Sequence, residues 1–219
     1  PSLETLARLL SDAGRWAELT RAYARLLPLT STAKEKVRLH HRIGEIQETQ
    51  LGKDRDAIES YRMALRLDPD FGPAQEALLA ALERTESWKD LAEALEARLG
   101  KLEDPHERAR AATELGALVE ERLNDRDRAL EHYEKALEAV PLHRPALDAR
   151  ERLLTDAAEW NRLTEVLEAE AQALEDPFLE TQAALRAALV RSEQQGAVEP
   201  ALEAFRPVFA RRPDHVGAL

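Results

Sequence analysis

The chain has 219 residues, 44% apolar and 33% charged, with only 8 glycines, no cysteine and a formal net charge of −11. Disulfides and thiolate chemistry are excluded, and no stretch approaches the ~18 consecutive apolar residues of a membrane-spanning helix. The first residues lack a basic region followed by an apolar core, so no signal peptide is visible, and a cytoplasmic protein with no direct membrane insertion is expected.

Residues 1–72 are close to neutral at +1, whereas 73–144 and 145–219 each carry −6. Phosphate-backbone binding depends on clustered Lys and Arg, so nucleic acid is not expected as a ligand. An acidic surface keeps the chain soluble and steers a basic partner towards its last two-thirds.

From the N-terminus, apolar periodicity predicts helices over residues 3–13, 16–27, 33–51 and 55–67. Breaks fall at Gly14, at 28–31, at 52–53 and at Asp68-Pro69-Asp70, where proline fixes its own φ and removes a donor. The third helix opens on a capping box, Thr32-Ala33-Lys34-Glu35. The same signal returns as Asp104-Pro105-His106-Glu107 and, without the glutamate, as Asp176-Pro177.

That plan repeats. Trp16, Trp88 and Trp160 are 72 residues apart, as are Tyr61, Tyr133 and Phe205, and Pro69, Pro141 and Pro213. Ala57, Ala129 and Ala201 keep the interval, and Gly44 and Gly116 do so with Ala188 third. The sequence therefore reads as one all-α array (1–219) of three copies, 1–72, 73–144 and 145–216, with two hairpins each and about twelve helices. Gly217, Ala218 and Leu219 match Pro145, Ala146 and Leu147, so a fourth copy is expected to begin there and the chain to be a segment of a longer array. Each tryptophan heads an i, i+3, i+7 apolar stripe (Leu19 and Tyr23, Leu91 and Leu95, Leu163 and Leu167) and is read as hairpin packing. Pro207, where the other copies have Met63 and Lys135, is expected to kink or shorten the last helix.

Ile43-Gly44, Gly52, Ala57-Ile58, Tyr61, Ala64-Leu65 and Asp68-Pro69, in that order, resemble a tetratricopeptide repeat. Leu115-Gly116, Ala129-Leu130, Tyr133, Ala136-Leu137 and Pro141 follow it in the second copy, and Ala201-Leu202, Phe205 and Pro213 in the third. Alternate hairpins depart from the pattern, with Leu19, Leu91 or Leu163 in place of the small residue. The resemblance implies a right-handed solenoid of helical hairpins, its concave face lined by the first helix of each.

No motif carries chemistry. Ser31-Thr32-Ala33-Lys34 fits a Ser-x-x-Lys pattern but lacks the companion motifs and already serves as a helix cap. His40 and His41 are adjacent and cannot share a helix face as an i, i+4 pair would. Asp54-Arg55-Asp56 and Asp125-Arg126-Asp127 lack the glycine and distal glutamate of a calcium loop. No catalytic residue, cofactor or metal is expected, and the protein is read as non-catalytic.

One stripe does change between copies. Beside the core stripe Leu39, Ile43 and Ile46, Lys34, His41 and Glu45 face away; their equivalents are His106, Thr113 and Ala117, then Phe178, Leu185 and Leu189. The stripe runs from polar to wholly apolar, which marks either a contact surface or packing for a further hairpin. The expected function is a scaffold that holds a basic, amphipathic peptide or helix of a partner protein in its groove, contacting Phe178, Leu185, Leu189, Thr113, Ala117, His41 and Glu45. The alternative is a regulatory or targeting module of a longer polypeptide that carries an enzymatic or membrane-anchored domain.

Overall fold

The computed structural model describes residues 3–174 and 177–194, together with 202, 203 and 206. Among them it contains eleven α-helices and no strand. Of the expected twelfth helix only residues 202, 203 and 206 are described, and they are helical; Pro207, the start of a fourth copy and the Asp176 cap lie outside the described residues. Contacts group the chain into two compact units, residues 1–94 and 95–219.

The first unit holds α1 (Leu3–Asp12), α2 (Trp16–Leu26), a 3₁₀ turn (Leu27–Leu29), α3 (Ala33–Thr49), α4 (Asp54–Leu67), α5 (Gly72–Arg84) and the first half of α6 (Trp88–Leu99). α3 and α4 form its most extensive hairpin, α1 packs on α2, and α5 packs on α4. The hairpin is closed by a missing side chain: a Cβ on Gly44 would collide with Cε1 of Tyr61, whose ring is fully buried. Ala64 and Ala74 then let α4 and α5 approach closely, in a cluster with Val37, Leu65 and Phe71. Ala7, Leu10, Leu19, Ala22 and Ile46 make a second cluster, which Trp16 and Tyr23 cover in part.

The second unit continues with α7 (Pro105–Leu118), a π-helical turn (Val119–Leu123), α8 (Arg126–Ala139), α9 (Arg144–Asp156), α10 (Trp160–Ala173) and α11 (Pro177–Gln194). α7 pairs with α8, α9 packs on α8, and α10 packs on both α9 and α11. Gly116 repeats the close approach: its added Cβ would lie 2.7 Å from Cε1 of Tyr133.

Helix starts follow the expected caps, with one change of detail. Oγ1 of Thr32 accepts the Glu35 N–H at 3.3 Å, but its hydroxyl also donates to the Glu35 carboxylate at 2.8 Å. The glutamate thus closes on the hydroxyl, not on the backbone N–H of a full capping box. Asp104 accepts the Glu107 N–H at 2.8 Å, with Pro105 in the first helical position.

The stops before α2, α6 and α10 share a conformation that composition conceals. Gly14, Glu86 and Ala158, spaced 72 apart, all have positive φ, at 65°, 52° and 55°. In each, the following N–H reaches back five residues: Arg15 to Leu10 at 2.8 Å, Ser87 to Leu82 at 2.9 Å and Glu159 to Leu154 at 2.9 Å. This is a left-handed C-cap that glycine suits best. Only the first of the three has it.

Candidate functional site

His41 and Glu45 stand one turn apart on α3, and they touch: Nδ1 of His41 is 3.9 Å from the Glu45 carboxylate, which also accepts from Arg42 at 3.0 Å. His41 does not simply face away from the core. Its ring lies 5.7 Å from that of Tyr61 and meets Phe71 edge-on at 5.4 Å, because the chain entering α5 folds back over α3. Thr113 is half-buried on α7, its hydroxyl spent on the Ala109 carbonyl at 2.8 Å, with half-buried Ala117 one turn on. On α11 the apolar stripe divides: Leu185 is 5% exposed, in line with buried Ala188, whereas Leu189 is 41% exposed. One helical turn rotates i to i+4 by about 40°, enough to carry a side chain from the core to its edge. The Phe178 side chain lies outside the described residues.

Three polar clusters correspond to no sequence motif. The Tyr61 hydroxyl donates to Glu48 at 2.6 Å, and Glu48 pairs with Arg84 of α5 at 2.9 Å. Arg84 also reaches Asp54 at the start of α4, at 2.7 Å. In the second unit Tyr133 donates to Glu120 at 2.9 Å, and Arg152 of α9 meets Glu120 at 2.7 Å. Burial, then the hydrogen bond to a carboxylate, pushes both phenols above their ordinary range. The tyrosines and glutamates recur at 72 residues, so that half of the clamp was legible. The arginine was not, because the equivalent of Arg84 is Asp156 and its work passes to Arg152, one turn earlier.

The third cluster joins α9, α10 and α11. Glu170 is almost fully buried, held by Arg144 at 2.9 Å and Arg186 at 3.3 Å, and Arg186 also binds Glu151 at 3.0 Å. Burial raises the Glu151 pKa, and the nearby Glu170 carboxylate pushes it the same way. These groups border a cleft of about 420 Å³ lined by Leu142, Arg144, Glu170, Leu174, Gln182 and Arg186. In the first unit a larger cleft, about 660 Å³, opens among α1, α2 and α3. Tyr23, Leu26 and Leu39 give it an apolar floor; Arg8, Asp12, Glu35 and Arg38 stand around it.

His132 is a further buried polar group. It is fully enclosed on α8, neither ring nitrogen has a hydrogen-bond partner, and burial lowers its pKa. Its Nε2 lies 3.9 Å from Glu96 of α6, a carboxylate that Arg128 and Lys135 also approach, at 3.1 and 3.6 Å. Ser60, one period earlier, instead donates to Gln47 at 2.6 Å; in the second copy Val119 replaces that glutamine. Among the described residues no three His, Asp or Glu side chains converge as a metal site, and no helix is long and apolar enough to cross a membrane. The chemistry available to these clefts is side-chain recognition: an apolar floor, with charged and hydroxyl groups at the walls.

Residues 37–71 match the family model of the tetratricopeptide repeat. Similar solved structures include YrrB, described as a TPR protein with an unusual peptide-binding site, at 18% identity and TM-score 0.41, covering 91% of this chain and 96% of that one. A tetratricopeptide repeat protein from Parabacteroides merdae shares 15% identity at TM-score 0.43, covering 95% and 78%. MamA shares 20% at TM-score 0.41, covering 76% and 92%. No curated protein matches the chain in sequence.

Proposed function

We propose, from the premise that residues 37–71 are a tetratricopeptide repeat in an all-helical chain, that the protein is a non-catalytic scaffold holding a segment of a partner protein. The observation that carries the reading is Leu189, a large apolar side chain left 41% exposed on a helix whose Ala183, Leu185, Ala187 and Ala188 are buried. Exposed apolar groups beside a packed face serve as anchor points. Thr113 and Ala117 hold the equivalent stripe on α7, and Phe178 extends it in sequence on α11. Leu185, one turn earlier, is buried. The −6 charge of residues 73–144 and again of 145–219 favours a basic, amphipathic segment.

Selection of a displayed peptide library on the chain, in parallel with Leu189→Asp, tests this. Enrichment of basic amphipathic peptides by the parent, lost in Leu189→Asp at unchanged helicity, is the expected result. Equal enrichment by both chains removes Leu189 from the site, and no enrichment by either removes the function. A second reading is favoured by the cleft among α1, α2 and α3, the largest of those described above, in the nearly neutral first copy. Peptides that lose binding on Leu39→Glu but not on Leu189→Asp would move the site there.

A further inference from the structure

We propose that the cleft among α9, α10 and α11 is a pocket for an aromatic side chain of the partner segment, which stacks on the guanidinium planes of Arg144 and Arg186 between Leu142 and Leu174. The inference rests on the scaffold reading above for the source of the ring. At about 420 Å³ the cleft falls within the range of roughly 300–1,000 Å³ typical of small-ligand pockets.

The charge in the cleft is already committed. Arg144 donates through Nη1 to Glu170 and through Nη2 to Asp148, both at 2.9 Å. Arg186 donates through Nη1 to Glu151 at 3.0 Å and through Nη2 to Glu170 at 3.3 Å. Two guanidiniums thus face three carboxylates, so an incoming anion meets a surplus of its own sign. An incoming cation finds each of those carboxylates held by an arginine, and Glu170, which lines the cleft, is only 5% exposed. What the cleft still offers is flat and apolar. Hydrogen bonds along their edges fix both guanidiniums, leaving planar faces that attract a π-system, and Leu142 and Leu174 complete the walls.

These groups are particular to the third copy. One period earlier, Leu142, Arg144, Glu170 and Arg186 correspond to Asp70, Gly72, Arg98 and Glu114. The second copy thus packs without the leucine or the extra arginine, so the repeat requires neither. Position fits the reading as well. Gln182, Arg186 and Leu189 lie at i, i+4 and i+7 on one face of α11, and Leu189 stands roughly 4.5 Å along the axis from Arg186. One amphipathic segment therefore spans both the pocket and the Leu189 anchor.

Proton–nitrogen NMR of the full chain, titrated with N-acetyl-tryptophanamide, tests the pocket. The Nε–H signals of Arg144 and Arg186 should move upfield together, as protons above a ring do. N-acetyl-leucinamide, N-acetyl-argininamide and acetate should leave them in place. Arg144→Lys keeps the charge but removes the plane, and it should weaken the probe's affinity roughly threefold or more. Leu142→Asp, which installs the second-copy residue at an exposed position, should weaken it too, and replaces Arg144→Lys if circular dichroism shows that variant to lose helix. Unmoved signals in the parent overturn the pocket, as does an affinity that survives the substitution; larger shifts with argininamide or acetate overturn it in favour of a charged ligand. The scaffold reading fails separately. A probe that binds while the peptide library enriches nothing keeps the pocket and overturns the scaffold, whereas enriched basic peptides without an aromatic residue do the reverse.

Discussion

Glu86 and Ala158 hold a left-handed backbone at φ 52° and 55°, where their equivalent, Gly14, sits at 65° without strain. An L-residue there costs roughly 1–2 kcal/mol from contact between Cβ and the following carbonyl. Replacing it by glycine removes that contact, but returns roughly 0.5–1 kcal/mol because the unfolded chain gains freedom. Both side chains are exposed, so little else is lost. Glu86→Gly and Ala158→Gly should each stabilise by about 0.5–1 kcal/mol, and their effects should add because each turn caps a different helix, 72 residues apart. At roughly 2–4 °C per kcal/mol for a chain of this size, the pair should raise Tm by about 2–8 °C in a far-UV circular dichroism melt. Gly14→Ala supplies the opposite sign. Glycine variants that melt at or below the parent would show that these turns do not bear the strain assigned to them.

Gly116→Ala should destabilise by about 1–3 kcal/mol even though alanine is the better helix former, because Cβ would lie 2.7 Å from a Tyr133 ring whose hydroxyl is held by Glu120. A urea midpoint equal to the parent's would mean that the ring moves aside freely. His132 should make the fold acid-labile: the unfolded imidazole takes up its proton near pH 6.5, whereas burial keeps the folded one neutral to lower pH. Its stability contribution is therefore complete above that pH and is lost as pH falls towards the folded value, by at most about 1.4 kcal/mol per unit. Val119→Gln with His132→Ser transplants the Gln47–Ser60 pair and should flatten that slope between pH 7.5 and 5.5; an unchanged slope would assign it to other groups. Leu185→Asp should unfold α11, whereas Leu189→Asp should leave the melt nearly unchanged, and equal losses would contradict their different burial.

The helices were legible because apolar period and punctuation agree. The residue ranges expected for the first copy end within two residues of those observed, since Pro69, Gly14 and Gly52 act through backbone geometry that a single residue dictates. Where the same geometry is imposed by packing, the sequence is silent. Nothing about glutamate at 86 or alanine at 158 announces a left-handed cap; only their phase relative to Gly14 does. The π-helical turn at Val119–Leu123 is likewise unannounced, and it ends on Asn124, left-handed at φ 52°, in the place of Gly52.

Side-chain partnerships were legible only where both partners keep their phase. Tyr61 and Tyr133 hold Glu48 and Glu120 at a fixed offset along the chain, so one repeat predicts the other. The arginine that completes each clamp comes from the next helix, where a guanidinium at the end of a long stem can reach the same carboxylate from either of two successive turns. Arg84 does so from one turn, and Arg152 from the turn before. The interaction is retained while the residue moves, which comparison of equivalent positions scores as a loss. The same flexibility explains the Leu185 and Leu189 pair: alternation along a helix gives a stripe its direction, but the edge between core and surface falls between them. That edge depends on how closely α10 approaches α11, and a single helix's sequence does not contain it.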